Sequence, residues 1–327
     1  MKSKAISHSR REILFVFPAV LVILSATGWA KHSKEIEELP LQLLSNHILV
    51  VQGLLNGQPS KLVIDTGARP TAVDSATAER LGLRSNEGRS GTVAVVGGRV
   101  PAYLSMLSDV ELGPIHVNLL PVVVTSLSWI RQQTGVDVDA VVGWDVLANC
   151  TVQIDYRAKR ISFGPVRVRG TQVPLVEDSG MPTVEASLDG KKIRLLLDTG
   201  GSGIVLFPDL LSKTVSRAFG GTTARLNNLA GQKDLQQIRL KNLTIGAADM
   251  SGRMALIAGD PKCCSFQGIL GISALQFDRV TFDSHRGLVA LNLRDEGADL
   301  SLLPNTCPPD VQQLCREPML ARHPVGH

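Results

Sequence analysis

The chain has 327 residues, of which 44% are hydrophobic and only 4% are aromatic. That length and composition are typical of a globular protein with an aliphatic core, rich in residues that favour strands. The formal net charge is +4, but the basic residues among the first 30 account for +3 of it, so the remainder is almost neutral. A neutral body offers no electrostatic basis for nucleic-acid binding, and we expect no nucleic-acid partner.

The first 30 residues have the layout of a secretory signal peptide. A basic stretch that includes Arg10 and Arg11 precedes an apolar run over residues 13–24, and small residues follow it. We predict that residues 1–30 are a cleaved signal peptide or, if the segment is retained, a membrane anchor through residues 13–29. The paired arginines fit a twin-arginine export signal or a simple basic leader. Either route predicts an exported protein, periplasmic or secreted.

A short phrase occurs twice in the chain. The first copy, at residues 61–68, reads Lys-Leu-Val-Ile-Asp-Thr-Gly-Ala, and the second, at 194–201, reads Arg-Leu-Leu-Leu-Asp-Thr-Gly-Gly. Each copy follows a predicted hairpin whose turn is Asn-Gly or Asp-Gly, the strongest short hairpin signals. One Asp-Thr-Gly alone would be an ordinary strand exit, whereas two copies in repeated surroundings indicate an internal duplication.

The segments downstream of each copy also correspond. Residues 140–143 (Ala-Val-Val-Gly) match residues 268–271 (Gly-Ile-Leu-Gly), and a hairpin-like stretch follows each. Within the first copy, residues 74–83 open with an N-cap candidate and close near a glycine, which predicts a short helix. Residues 91–104 predict a hairpin with a Gly-Gly tip.

The repeats predict how the chain is organised. The predicted segments are a linker at 31–39, an N-terminal lobe at 40–168, a C-terminal lobe at 169–296, and a tail at 297–327 that bears Pro and Cys. Two of the five cysteines, Cys307 and Cys315, lie in the tail and are the first candidates for a disulfide.

The apolar strand that ends in Asp-Thr-Gly, followed downstream by two apolar residues and Gly, resembles the half-site of aspartic proteases. Two such halves in one chain look like a pepsin-type enzyme, while the short halves and the Asp-Thr-Gly-Ala of the first copy are more similar to retropepsins. The resemblance covers about residues 40–296. It implies a mainly β fold with short helices, in which two similar closed β-barrel lobes flank an active cleft. The protein would be a monomer whose lobes are related by a pseudo-twofold axis.

The resemblance also implies an aspartic-type endopeptidase that acts on an extended polypeptide without a cofactor. Asp65 and Asp198 would form the catalytic dyad, because two adjacent carboxyl groups share a proton and can serve as general base and general acid. The residues that would support the two active-site loops are Thr66, Gly67, Ala68, Thr199, Gly200, Gly201 and Ser202. We expect no metal site, since no Cys and His spacing indicates zinc.

The tip of the first predicted hairpin would be a substrate-binding flap, formed by Val96, Gly97 and Gly98. An ordinary surface hairpin is the alternative interpretation. The corresponding stretch of the second half, residues 225–233, is a polar hairpin, and the sequence leaves open whether one flap or two cover the cleft.

One position departs from the pepsin pattern. Pepsin-type enzymes carry Ser or Thr after Asp-Thr-Gly, whereas this chain has Ala68 and Gly201. Because a lost hydroxyl donor leaves the carboxylate pKa less depressed, we predict a weakly acidic optimum. A peptide-binding protein that uses the same fold without catalysis is the alternative function, although both aspartates are intact.

Overall fold

A computed structural model describes residues 35–84, 90–96, 98–211, 222–228, 230–259, 264–273 and 277–293. The predicted signal peptide or anchor, Gly97 of the predicted flap, and the Cys307 and Cys315 pair lie outside these residues. Both repeats belong to one compact unit, Met1–Leu293. Among the described residues, no helix is long and apolar enough to cross a membrane.

The described residues fold mainly as β-strands, as the aliphatic, glycine-punctuated sequence predicts. The strands are β1 (Glu37–Pro40), β2 (Gln42–Leu44), β3 (Ile48–Leu55), β4 (Gln58–Ile64), β5 (Ala72–Asp74), β6 (Ser90–Val95), β7 (Gly98–Leu112), β8 (Ile115–Thr125), β9 (Ala140–Val142), β10 (Val152–Asp155), β11 (Arg160–Phe163), β12 (Thr171–Pro174), β13 (Val176–Asp178), β14 (Met181–Leu188), β15 (Lys191–Asp198), β16 (Ile204–Leu206), β17 (Thr223–Asn228), β18 (Gly231–Arg239), β19 (Leu243–Ile245), β20 (Ala248–Asp249), β21 (Met254–Ile257), β22 (Gly268–Gly271), β23 (Phe277–Asp283) and β24 (Leu288–Leu293). The helices are α1 (Ser75–Arg80), α2 (Ser128–Thr134), α3 (Trp144–Leu147) and a 3-10 turn at Pro208–Leu210.

The order of strands in two of the sheets confirms the internal duplication. The first half forms an eight-stranded sheet in the order β2-β3-β4-β9-β5-β8-β7-β6. The second half forms a ten-stranded sheet that includes β14-β15-β22-β16-β21-β18-β17 when it is followed in the matching direction. Each strand from β3 to β9 of the first sheet therefore has a counterpart in the second.

The third sheet joins the two halves of the chain. Its six strands run in the order β1-β11-β10-β23-β24-β12, so three strands that precede the second half lie side by side and then three strands of the second half follow. Its central pairing is antiparallel, between β10 and β23, with Val152 opposite Phe282. Strand β1 begins at Glu37, so the last residues of the predicted linker are part of this sheet.

The local sequence signals explain the hairpins and the first helix. Asn56 and Gly57 turn β3 into β4 with φ angles of 48° and 71°, the left-handed values that a two-residue hairpin turn of this kind requires. The equivalent turn in the second half is Asp189-Gly190, also at positive φ. Asp74 caps α1 by accepting a hydrogen bond from the Ala76 N–H, which confirms the predicted short helix.

One apolar core extends through all three sheets and is almost entirely aliphatic. Its largest fully buried side chain is that of Trp144, which packs on Phe282 with ring centroids 5.7 Å apart. Trp144 follows the apolar-Gly segment of the first half, whereas Phe282 lies on β23 of the second. The core therefore holds both halves against the shared sheet.

Candidate active site

The two Asp-Thr-Gly turns meet where β4 and β15 end. Each of these strands lies parallel to the strand that carries the apolar-Gly segment of its own half, β4 beside β9 and β15 beside β22. The Asp65 N–H donates to the Val142 carbonyl at 3.0 Å, and the Ile272 N–H donates to the Asp198 carbonyl at 2.8 Å. The backbone of each aspartate is thus fixed by a neighbouring strand.

The threonines of the two turns bind each other's loops in a crossed pattern. Thr66 Oγ1 donates to the Leu197 carbonyl at 2.7 Å, and Thr199 Oγ1 donates to the Ile64 carbonyl at 3.0 Å. Each hydroxyl also accepts the backbone N–H of the opposite threonine, at 3.1 and 2.9 Å. Both threonines are completely buried, so these four bonds satisfy groups that water cannot reach.

The glycines of the turns allow the two carboxyl groups to come together. A Cβ atom at Gly67 would lie 2.6 Å from Asp198 Cγ, and one at Gly200 would lie 2.6 Å from Asp65 Cγ. Real Cβ atoms do not approach other atoms so closely, so any side chain at either position would push the opposite aspartate away. The two carboxyl groups hydrogen-bond to each other in this arrangement.

Backbone N–H groups also point at the carboxylates. The Gly67 N–H donates to Asp65 Oδ1 at 2.8 Å, and the Gly201 N–H donates to Asp198 Oδ1 at 2.8 Å. Burial raises the pKa of Asp65, although its hydrogen bonds with Asp198 and backbone N–H groups oppose the rise. Burial raises the pKa of Asp198 well above its ordinary value, and the adjacent Asp65 charge raises it further. The pair therefore holds a proton at pH values where an exposed aspartate is ionised.

The positions after the two glycines differ in the space around them. Ala68 is half-buried, and its carbonyl accepts the Trp144 N–H at 2.9 Å. A Cβ at Gly201 would lie 2.7 Å from Asp198 Oδ2 and 3.2 Å from Gly271 Cα, so this position has no room for a side chain. Ser202 is exposed, and among the described residues its hydroxyl has no hydrogen bond to either aspartate.

Two polar side chains that support the loops were not predicted from the sequence. Asp145 accepts from the N–H and the Oγ1 of Thr71 at 2.8 and 2.7 Å, and that Oγ1 accepts the Gly143 N–H at 3.0 Å. In the second half, Ser273 Oγ donates to the Gly201 carbonyl at 2.7 Å. Asp145 and Ser273 both stand two residues after the glycine of the apolar-Gly segment, and this shared polar position is the signal that could have found them.

The two hairpins that were expected to cover the cleft meet at their tips. Strands β6 and β7 form the first hairpin, and β17 and β18 form the second. A Cβ at Gly98 would lie 2.9 Å from Ala230 Cβ, and Val96 packs against an apolar cluster of the second half that includes Leu226 and Phe207. The sequence left open whether one hairpin or two lie over the cleft. The structure has two hairpins of similar design there.

Further contacts tie the halves together beside the dyad. Trp144 Nε1 donates to Glu177 Oε1 at 2.9 Å, and Arg69 Nη1 donates to the Gly180 carbonyl at 2.7 Å. Burial, and secondarily the Asp198 charge, raise the pKa of the Tyr156 phenol, which keeps that group protonated at neutral pH. The Arg69 hydrogen bond joins the loop after Asp65 to the strands that precede Asp198, and the Trp144 hydrogen bond joins α3 to them.

A family model described as aspartyl protease matches the chain in two segments, residues 51–146 and 184–274. The two segments cover more than half of the chain, and each contains one Asp-Thr-Gly turn and one apolar-Gly segment. No curated protein matches the chain.

Proposed function

The chain belongs to the aspartyl protease family, and from that premise we propose that it is an endopeptidase that hydrolyses peptide bonds with a water activated by Asp65 and Asp198. The observation that carries the proposal is the contact between these two half-buried carboxyl groups, whose loops are held by threonine bonds from both halves. Two carboxyl groups in such contact share a proton, and this shared protonation state is the one that hydrolysis by an aspartate pair needs.

The chemistry requires no covalent intermediate. The ionised carboxylate of the pair removes a proton from water, whose oxygen attacks the carbonyl carbon of the substrate. The protonated carboxyl group donates its proton to the carbonyl oxygen, so a neutral tetrahedral diol forms. As the C–N bond breaks, the carboxyl group that took the proton from water gives one to the leaving nitrogen, and the other carboxylate takes a proton from a hydroxyl of the diol, so the pair again holds one proton. Neither aspartate is assigned a fixed role, because the two titrate as one unit.

The substrate we propose is an extended polypeptide between the dyad and the hairpin tips. Strand edges in the hairpins can pair with a substrate backbone, and the side chains around it set preference. Val96 and Leu226 provide apolar surface on the two hairpins. Since Gly98 and Ala230 touch, the tips must separate before a chain can enter.

Our proposals for the location and the assembly of the protein rest on its sequence. We propose that the protein is exported to the periplasm or secreted, and that residues 13–29 anchor it to the membrane if they are retained. We also propose that it works as a monomer, because a single chain supplies both aspartates.

The deciding experiment compares the full chain with Asp65→Asn and Asp198→Asn in a quenched-peptide assay between pH 3 and pH 8. We expect each variant to lose at least about 100-fold in kcat/KM, because each removes one partner of the acid-base pair. We expect the wild-type optimum at weakly acidic pH, and inhibition by a transition-state mimic of aspartic proteases.

The matched control is Asp137→Asn, which removes an exposed carboxylate outside the dyad and should retain full activity. Equal turnover by the wild type and both dyad variants would refute the proposed enzyme. Binding of peptides by all three proteins without turnover would instead support the non-catalytic peptide-binding function.

A further inference from the structure

The long hairpin of β7 and β8 has an irregularity in the middle. Buried and outward-facing residues alternate along β7 from Ser105 to Leu107, but the alternation breaks at Ser108, which is exposed and is followed by the half-buried Asp109. Leu119, across from Ser108, has a φ of 52°. Asn56 Oδ1 accepts the Ser108 and Asp109 N–H groups at 2.8 and 3.2 Å, and so holds this segment in place.

Asp109 lies on the outer face of the hairpin, where Glu111 also lies. The pairing of the two strands keeps its register through this segment, since Leu107 pairs with Leu120 and Asp109 pairs with Asn118. On the partner strand, His116 pairs with Glu111 and Asn118 pairs with Asp109. Four polar side chains therefore form a square on one face.

Three of these side chains converge on a common point. One oxygen from each of Asp109 and Glu111 and one ring nitrogen of His116 all lie within 4.8 Å of one another. Among the described residues, none of the three side chains has a hydrogen bond or an ion pair. Two carboxylates that face each other without a cation repel, so the arrangement lacks a positive partner.

We propose that Asp109, Glu111 and His116 form a binding site for a divalent transition-metal ion, with zinc as the best fit. Zinc takes imidazole nitrogen at about 2.0–2.1 Å and carboxylate oxygen at about 2.0–2.2 Å, which puts two ligands of one ion about 3.4 Å apart. The three atoms already lie within 4.8 Å of one another, and the side chains are half-buried or exposed, so they have room to rotate toward that spacing. The Asn118 amide oxygen or a water supplies the fourth ligand.

The site is separate from the dyad. Glu111 pairs with Leu54 on β3, and Leu54 pairs with Pro59 on β4. Six residues of extended strand, about 20 Å, then separate Pro59 from Asp65. The ion would therefore fasten β7 to β8 beside their Gly113-Pro114 turn, away from the β6–β7 tip at Gly98, and would take no part in hydrolysis.

The test is calorimetric titration of the metal-free full chain with zinc chloride, with manganese chloride as a second probe. We expect one ion per chain, tighter binding of zinc than of manganese because of the imidazole ligand, and a zinc-dependent rise in melting temperature. His116→Gln, Asp109→Asn and Glu111→Gln should each weaken zinc binding at least about tenfold, and should lose the zinc-dependent rise.

Two controls separate this site from others. His285→Gln removes a histidine outside the hairpin, and the Asp65→Asn/Asp198→Asn double variant removes the dyad carboxylates; both should bind zinc as the wild type does. Because the three ligand side chains have no other partners among the described residues, their variants should melt without metal at the wild-type temperature, or slightly above it where the repulsion between the carboxylates is relieved. Zinc binding that survives His116→Gln, or zinc binding weaker than millimolar in the wild type, would overturn the proposal.

Discussion

The two halves share a strand order but support their aspartates differently. In the first half, polar side chains fix the loop after the aspartate, since Asp145 accepts from Thr71 and Thr71 Oγ1 accepts the Gly143 N–H. In the second half, one side-chain bond, from Ser273 Oγ to the Gly201 carbonyl, stands in place of that network, and Gly201 has no space for a side chain. The comparison teaches that the duplicated backbone determines the dyad geometry, while each half stabilises it with its own side chains.

The hairpins differ in the same way. The first one, β6 and β7, continues through β7 into the long pairing with β8, and it presents Gly98 and apolar Val96. The second one, β17 and β18, is polar and exposed along most of its length. The halves therefore match where they must form one site, and diverge where they face solvent.

The largest expected effect tests where the halves are alike. Thr66→Val and Thr199→Val should each lower the free energy of unfolding by about 2–6 kcal/mol, because each leaves two buried backbone groups without a partner at roughly 1–3 kcal/mol apiece. Urea unfolding measures this, and the hydroxyl-retaining Thr→Ser variants should stay close to the wild type. A large loss in only one of the two Val variants would show that the crossed bonds are not equivalent.

The next prediction tests where the halves differ. Gly201→Ser should cost about 1–3 kcal/mol of stability and lower kcat, because its Cβ would overlap Asp198 Oδ2. Ala68→Ser should change stability by less than about 0.5 kcal/mol. Its hydroxyl can donate to the Asp65 carboxylate, so the pH optimum should move toward acid. Unfolding curves and pH-rate profiles of the two variants measure both effects, and equal tolerance at the two positions would contradict the comparison.

The smallest effect concerns the pH dependence of stability. The pKa of each dyad aspartate is raised in the folded state above the ordinary value of 3.8. A group whose pKa is raised in the folded state stabilises the fold at pH values below its unfolded-state pKa. This stabilisation is lost as the pH rises through the folded-state pKa. As the pH rises from 4 to 7, the contribution of the dyad to the free energy of unfolding should therefore fall, by less than about 1.4 kcal/mol per pH unit for each proton.

The two dyad variants should reduce this pH dependence of stability to different extents. Asp198→Asn should flatten the stability profile more than Asp65→Asn does, because burial and the neighbouring charge raise the pKa of Asp198 well above its usual range. Urea unfolding at several pH values measures the slopes. A wild-type profile that rises with pH as steeply as those of both variants would contradict the assigned directions.

Much of the site was predictable because it depends on short, local signals. The two Asp-Thr-Gly phrases, the Asn-Gly and Asp-Gly turns and the N-cap at Asp74 each specify a conformation within a few residues. Their repetition along the chain then implied a duplicated fold, which the matching strand orders and the family match confirm. The repeated hairpin-like stretches were also visible, but nothing in them showed that β10 would pair with β23 in a shared sheet.

What the sequence by itself determined was the repeat, its mainly β character and the pair of aspartates, because periodicity and turn chemistry are properties of neighbouring residues. Only the tertiary structure decided how Asp145 meets Thr71, why Gly201 excludes a side chain, and how Asp109, Glu111 and His116 converge. These contacts join residues far apart in the chain, or residues that face each other across a hairpin. No local pattern encodes such distances, because they arise only after the strands have paired and packed.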